Sequence, residues 1–256
     1  MRTFGNASTQ FACDPALSAS GKVRSMFEKA GVELVSLATS VRFDEPITMP
    51  QRLLGDTEKS VRELKGCVDL AIALEVPYVR VFAFEEHSGV SHNTTIATIS
   101  ERLFKAVDYA RNSGVRILLE NGGSFETAAK LSELVDRVDE PGLGVSYNAA
   151  VAAASGESMA NGINVLGERV VNVKIQDMKH GVPCALGEGE LNPQAAIAAL
   201  TAANYGGWVT FEYNRAWSTG CEEPDAVLAR SAKALFGWIG PSKQPSRVGS
   251  PAGAGR

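Results

Sequence analysis

The segment Gly114–Gly123, GVRILLENGG, decides how this chain folds. A five-residue apolar run, Arg116–Glu120, ends on a carboxylate and is cut off by a pair of glycines. A run this short and this apolar reads as a strand buried on both faces. The same construction recurs at Leu34–Thr39, Tyr78–Phe82, Gly142–Tyr147, Val170–Gln176 and Trp208–Glu212. Helical periodicity fills the gaps. Val23, Met26, Phe27 and Ala30 stand at i, i+3, i+4 and i+7 before Gly31, and residues 53–74 and 95–112 carry longer patterns. Leu131, Leu134, Val135 and Val138 mark another helix, Asn192-Pro193 caps and opens the next, and a last one covers 224–239 before Gly240-Pro241. Strands alternating with helices predict a parallel sheet with helices outside, and right-handed connections curl such units into a (β/α) barrel or wind them over both faces of an open sheet.

A parallel barrel directs every C-terminal strand end to one face, where chemistry sits. Four of the runs end at or beside Glu120, Asn148, Lys174 and Glu212, so these four are expected to share one pocket. Arg42, Glu86 and His87 lie at or just past strand ends. They are candidates to bind substrate, although each alone also reads as a solvated loop charge. Tyr147 and Trp217 are candidates for an apolar or stacking wall, or equally for core and rim packing.

Composition excludes several classes. The chain has 256 residues, 45% of them apolar, and a formal charge of −4, with no basic stretch that would mark a nucleic-acid surface. No apolar run approaches the roughly 20 residues of a membrane span. The opening MRTFGNASTQFACD has no apolar core of a secretory signal. Cys13, Cys67, Cys184 and Cys221 are widely spaced, as expected of reduced thiols in a cytoplasmic protein, and His87, His92 and His180 form no ligand motif. One barrel domain is expected over 1–240, followed by a disordered Ser/Pro/Gly/Arg-rich tail over 241–256. Too little chain precedes Leu34 for two βα units, although Met1–Ser8 offers a seventh strand. The barrel is therefore expected to be incomplete, missing much of its first βα unit. Its open edge would be covered by the N-terminal segment or by a second copy in a homodimer.

The segments GVELVSLATSVRFD (31–44), ALEVPYVRVFAFE (73–85), GVRILLENGGSFE (114–126), GLGVSYNAAVAAASGE (142–157), VVNVKIQD (170–177), LGEGELNP (186–193) and GGWVTFEYNR (206–215) occur in an order that resembles the xylose isomerase-like TIM barrels. That superfamily of sugar-phosphate isomerases and epimerases also includes the type 2 apurinic endonuclease fold. The resemblance covers about residues 20–240. It implies a divalent metal held by Glu, Asp, His and Glu at successive strand ends, with the two glutamates moving a proton on opposite faces of a sugar carbon. Glu120 and Glu212 match the two glutamates, whereas Asn148 stands at the aspartate position and Lys174 at the histidine position.

These departures matter. Asn148 would offer a hard cation only a neutral carbonyl, and an ammonium has no lone pair to give. The expectation is a lost metal site and no cofactor, with Lys174 as an internal cation between Glu120 and Glu212. A charge pair at about 4 Å in a protein-like dielectric contributes on the order of a few kcal/mol. The implied function is a metal-independent isomerase, epimerase or lyase acting on a small polar substrate by proton transfer next to a carbonyl. One of Glu120 and Glu212 would be base and the other acid, Lys174 would stabilise the enolate, and Asn148 and Tyr147 would hydrogen-bond the substrate. Two other readings fit the same residues: a metal-dependent sugar isomerase or epimerase using Glu120, Asn148 and Glu212, and a non-catalytic binding or assembly protein on a degenerate barrel. Leu186–Leu191 is expected to form a Gly-rich turn over the mouth, and Asp177 to anchor its own loop.

Overall fold

A computed structural model describes residues 20–46, 58–215 and 218–240. Six parallel strands form one sheet in the order β1 (Ser36–Arg42), β2 (Tyr78–Phe82), β3 (Arg116–Glu120), β4 (Leu143–Asn148), β5 (Val170–Ile175) and β8 (Trp208–Phe211). The two short strands β6 (Met178–Lys179) and β7 (Val182–Pro183) make an antiparallel hairpin between β5 and β8. Helices α1 (Ser20–Lys29), α2 (Lys59–Leu74), α3 (His92–Ala110), α4 (Ala128–Val138), α5 (Ala149–Ala154), α6 (Met159–Leu166), α7 (Pro193–Ala202) and α8 (Pro224–Ile239) supply the outer layer. The sheet is a curled part-barrel, and among the described residues β1 and β8 are edge strands that do not pair with each other. Among the described residues the barrel is incomplete, as expected from the sequence. Met1–Ser8, the start of the helix expected from residue 53, and the 241–256 tail lie outside the described residues.

Helix boundaries follow local chemistry. The Ser91 side chain accepts from the Thr94 amide to open α3, Thr127 caps α4 in the same way, and Asn192 accepts from the Ala195 amide with Pro193 in the first turn of α7. β1 begins two residues later than expected and runs to Arg42, which places that side chain on the strand itself.

Strand alternation sorts the residues into two faces. Val79, Val81, Ile117, Leu119, Val145, Tyr147, Val173 and Ile175 are buried in the apolar core that includes Leu64, Ile99, Leu103, Leu131, Leu134 and Leu200 of the helices. The opposite face is polar. Register pairs Phe82 with Glu120, Glu120 with Ser146, Ser146 with Asn172, and Asn148 with Lys174, so these share the concave side. Asn172 Nδ2 donates to Ser146 Oγ at 3.0 Å, and Thr210 Oγ1 donates to Asn172 Oδ1 at 2.7 Å. Bulky aliphatic layers usually fill a closed barrel; here a hydrogen-bonded ladder occupies that position below the charged strand ends.

Candidate active site

Glu120, Asn148, Lys174 and Glu212 converge as the strand ends predict. The Lys174 ammonium lies 2.7 Å from Glu120 Oε1 and 2.8 Å from Glu212 Oε2. Glu212 immediately follows β8, and its backbone amide donates to the Ile175 carbonyl at 2.8 Å, so the sheet carries the carboxylate to Lys174. Asn148 Nδ2 faces Glu120 Oε1 at 3.5 Å.

The row has a fourth charge that the sequence reading missed. Arg80 Nε lies 3.1 Å from Glu120 Oε2, which makes an alternating series Arg80, Glu120, Lys174, Glu212. The side chains along it are 7%, 3%, 10% and 13% exposed. Charges removed from water this far are tolerated only when paired. The signal for Arg80 was an arginine in the middle of an otherwise apolar strand, two residues before Phe82 and therefore on the same face as the register partner of Glu120.

Around the row, a second layer locks the strand ends. Asn121 accepts from the Asn148 amide at 2.6 Å and donates to the Asn148 carbonyl at 3.1 Å. The Asn148 side-chain carbonyl accepts from the Ala150 and Val151 amides at 3.1 and 3.3 Å, capping α5. That oxygen is the donor Asn148 would have offered to a cation. With it turned into the helix and an ammonium between the carboxylates, the donor set does not suit a divalent ion. Among the described residues no group of three or more His, Cys, Asp or Glu side chains converges as metal ligands would.

Arg42 and His87 meet at the rim on a fully buried carboxylate. Arg42 donates to Asp44 through Nε at 3.1 Å and Nη2 at 2.6 Å, and His87 Nε2 lies 3.2 Å from Asp44 Oδ2. The bond to Asp44 holds the guanidinium pKa above its ordinary value. Arg42 also covers the Phe84 ring at 4.5 Å, and Arg80 covers Phe82 at 4.2 Å, with the two rings edge to face at 5.7 Å. This cation–aromatic wall connects the rim to the charged row. Phe84 holds it at φ 88°, a conformation costly for a bulky residue. The Ser124 amide fixes the Phe84 carbonyl at 2.7 Å.

Two expected site residues, Glu86 and Tyr147, depart from their assignments. The Glu86 carboxylate turns to the surface, where it meets His92 Nδ1 at 2.5 Å, and His92 in turn meets Glu133 at 3.0 Å. Tyr147 points to the helix side, because it alternates with Asn148; its hydroxyl donates to Glu157, and its ring packs against Gly162 of α6. Burial raises its pKa well above the phenol range. Trp217 lies outside the described residues. Asp177 does anchor its loop: it accepts from the amides of Met178, Gly187, Gly189 and Leu191 at 2.9–3.1 Å.

Parallel strands with carboxylates and a lysine gathered at their C-terminal ends define a (β/α) part-barrel, the class of fold whose strand ends carry functional groups. The chain matches the family described as xylose isomerase-like TIM barrel over residues 7–236, and it belongs to that family. A 2-oxo-tetronate isomerase of Pectobacterium atrosepticum is 24% identical over 175 residues, which span 65% of this chain and 64% of the relative. Among solved structures, a D-allulose 3-epimerase from Methylomonas sp. superposes with a TM-score of 0.72 at 18% identity, covering 88% of this chain and 84% of that one. An L-ribulose 3-epimerase gives a TM-score of 0.74 at 16% identity, covering 88% and 81%. An IOLI protein with a binding zinc atom gives 0.68 at 15% identity, covering 88% and 83%.

Proposed function

We propose that this protein is an isomerase-type enzyme that moves a proton next to the carbonyl of a small hydroxy-carbonyl compound without a metal ion. The observation that carries the reading is the Lys174 ammonium held between two carboxylates at 2.7 and 2.8 Å. A glutamate abstracts the proton α to the carbonyl, and Lys174 stabilises the oxygen that gains charge, the task a Lewis acid performs elsewhere. The relatives support the substrate class: the named compounds, 2-oxo-tetronate, allulose and ribulose, are small polyhydroxy-carbonyl molecules.

The test is turnover of D-erythrulose, 2-oxo-tetronate, D-allulose and L-ribulose by protein dialysed against EDTA, with elemental analysis of the same sample. Turnover of at least one compound at a rate that EDTA leaves unchanged is expected. Activity abolished by EDTA and restored by Mn²⁺ or Mg²⁺ would overturn the metal-free mechanism, and no turnover of any compound would overturn the enzyme reading.

A further inference from the structure

We infer that Asn148 is a catalytic hydrogen-bond donor: its side-chain amide and the Lys174 ammonium together hold the substrate oxygen that gains charge. The inference rests on the proton-transfer reading above and specifies it. Either end of an asparagine side chain can face a ligand, and its surroundings decide which. Asn148 Oδ1 accepts from the Ala150 and Val151 amides at 3.1 and 3.3 Å, so a flipped side chain would set its NH₂ against two further N–H groups. Asn121 fixes the backbone of the same residue, accepting from its amide at 2.6 Å and donating to its carbonyl at 3.1 Å. The end turned to the charged row is Nδ2, which can only donate.

The acceptor that Nδ2 meets is Glu120 Oε1 at 3.5 Å, the outer limit of a hydrogen bond. Lys174 approaches the same oxygen at 2.7 Å, so both donors border one point. Register pairs Asn148 with Lys174 on neighbouring strands. Paired positions lie about 4.8 Å apart, so a single oxygen can take a bond of about 2.9 Å from each nitrogen. Lys174 has three N–H bonds, and the carboxylates of Glu120 and Glu212 account for two. Asn148 has two and engages one at long range. Both residues are buried, and a buried donor held without a short acceptor gains most when charge develops in front of it.

The step balances without a proton from Asn148. A glutamate takes the proton α to the carbonyl, the C–H electron pair becomes the new carbon–carbon double bond, and the carbonyl pair moves onto oxygen. Asn148 and Lys174 hold that oxygen through hydrogen bonds that shorten as its charge grows. An aspartate in this place would still cap the helix but would donate nothing.

Two variants and two readouts test this. Asn148→Asp keeps the cap and the shape and removes the donor. Asn148→Ser keeps a cap on a side chain too short to reach the oxygen and adds no charge beside Glu120, so it carries the test if Asn148→Asp does not fold. On whichever of the four compounds the native protein turns over, kcat is expected to fall roughly 10²–10³-fold in both variants with KM little changed. The second readout needs no turnover. Glycolohydroxamate is flat and carries its charge on oxygen, as an enediolate does, and mimics of a transition state bind more tightly than substrates. Calorimetry is expected to show it binding the native protein and losing roughly tenfold or more in affinity in each variant. No binding to the native protein, or equal affinity in native and variants, would overturn the inference. A gain in the activity of Asn148→Asp on adding Mn²⁺ would mark the position as a metal ligand and overturn it as well. Native turnover that neither variant slows would overturn it while leaving the proton-transfer reading intact. Hydroxamate binding that depends on Asn148, with no compound turned over, would instead sink the proton-transfer reading and leave the paired donors standing.

Discussion

At the scale of single residues, Lys174 has two roles that one substitution separates. Lys174→Met removes the cation beside the developing enolate, which typically costs on the order of 10²–10³ in turnover. It also leaves Glu120 and Glu212 facing each other with one cation fewer, and breaking a buried ion pair costs about 3–5 kcal/mol. Both losses are expected together, the first in steady-state rates on the best compound and the second in urea unfolding. A Lys174→Met protein that folds as stably as the native one would mean that the row contributes nothing to the fold. Cys184 offers a prediction of a different kind. Burial pushes its thiol up to about 11, and the nearby Asp177 and Glu188 carboxylates add to the shift. Thiolate is the reactive form, so alkylation by iodoacetamide at pH 8 should be slow. It should accelerate about tenfold per pH unit toward 11, because each unit below a thiol's pKa cuts the thiolate fraction tenfold. A rate that levels off near pH 8.5 would show an unperturbed thiol.

The elements show how far sequence could be read. Five of the six strand ends were legible within two residues, because a short apolar run closed by a polar residue has few other interpretations, and the gathering of Glu120, Asn148, Lys174 and Glu212 followed from parallel topology alone. Arg80 and Tyr147 were not legible for one shared reason. A run treated as buried on both faces hides its parity, and parity puts Arg80 on the concave side and Tyr147 on the helix side. Glu86 was misassigned because proximity in sequence to His87 does not fix which way a loop side chain turns; His92 at the start of α3 captures it. The Tyr147 correction is testable. Tyr147→Phe deprives the Glu157 carboxylate of a buried donor, and a loss of about 1–3 kcal/mol in stability is expected. Its KM should match the native value, whereas a residue that hydrogen-bonded substrate would raise it. Gly162→Ala should be costly as well, since the added methyl would come within 2.5 Å of the Tyr147 ring.

For the whole molecule, half of the ten large apolar side chains exposed among the described residues belong to the first and last elements of the open sheet, and the rest are spread over other helices and loops. Met26 and Val32 flank β1, while Trp208, Leu228 and Phe236 lie on β8 and α8, with Phe236 at 72% exposed. Edge strands carrying such residues invite a partner. Sedimentation velocity is expected to show twice the mass of the chain, and Phe236→Asp to shift it toward the monomer. A native monomer at tens of micromolar would rule out self-association through this edge.

The charged row also bears on how the chain reaches its native state. Arg80, Glu120, Lys174 and Glu212 belong to four different segments, and the last lies far along the chain from the first. A partly assembled sheet containing only β2 to β5 would bring two cations together with one anion. The excess positive charge is cancelled only when β8 docks and delivers Glu212. Among the described residues β8 is an edge strand that pairs with β5 alone, so we expect its docking, and with it this neutralisation, late on the folding route. Glu212→Gln should then leave the refolding rate near its native value and accelerate unfolding, the kinetic pattern of an interaction absent from the transition state. In this molecule the arrival of Glu212 is also the step that adds the last strand to the open sheet.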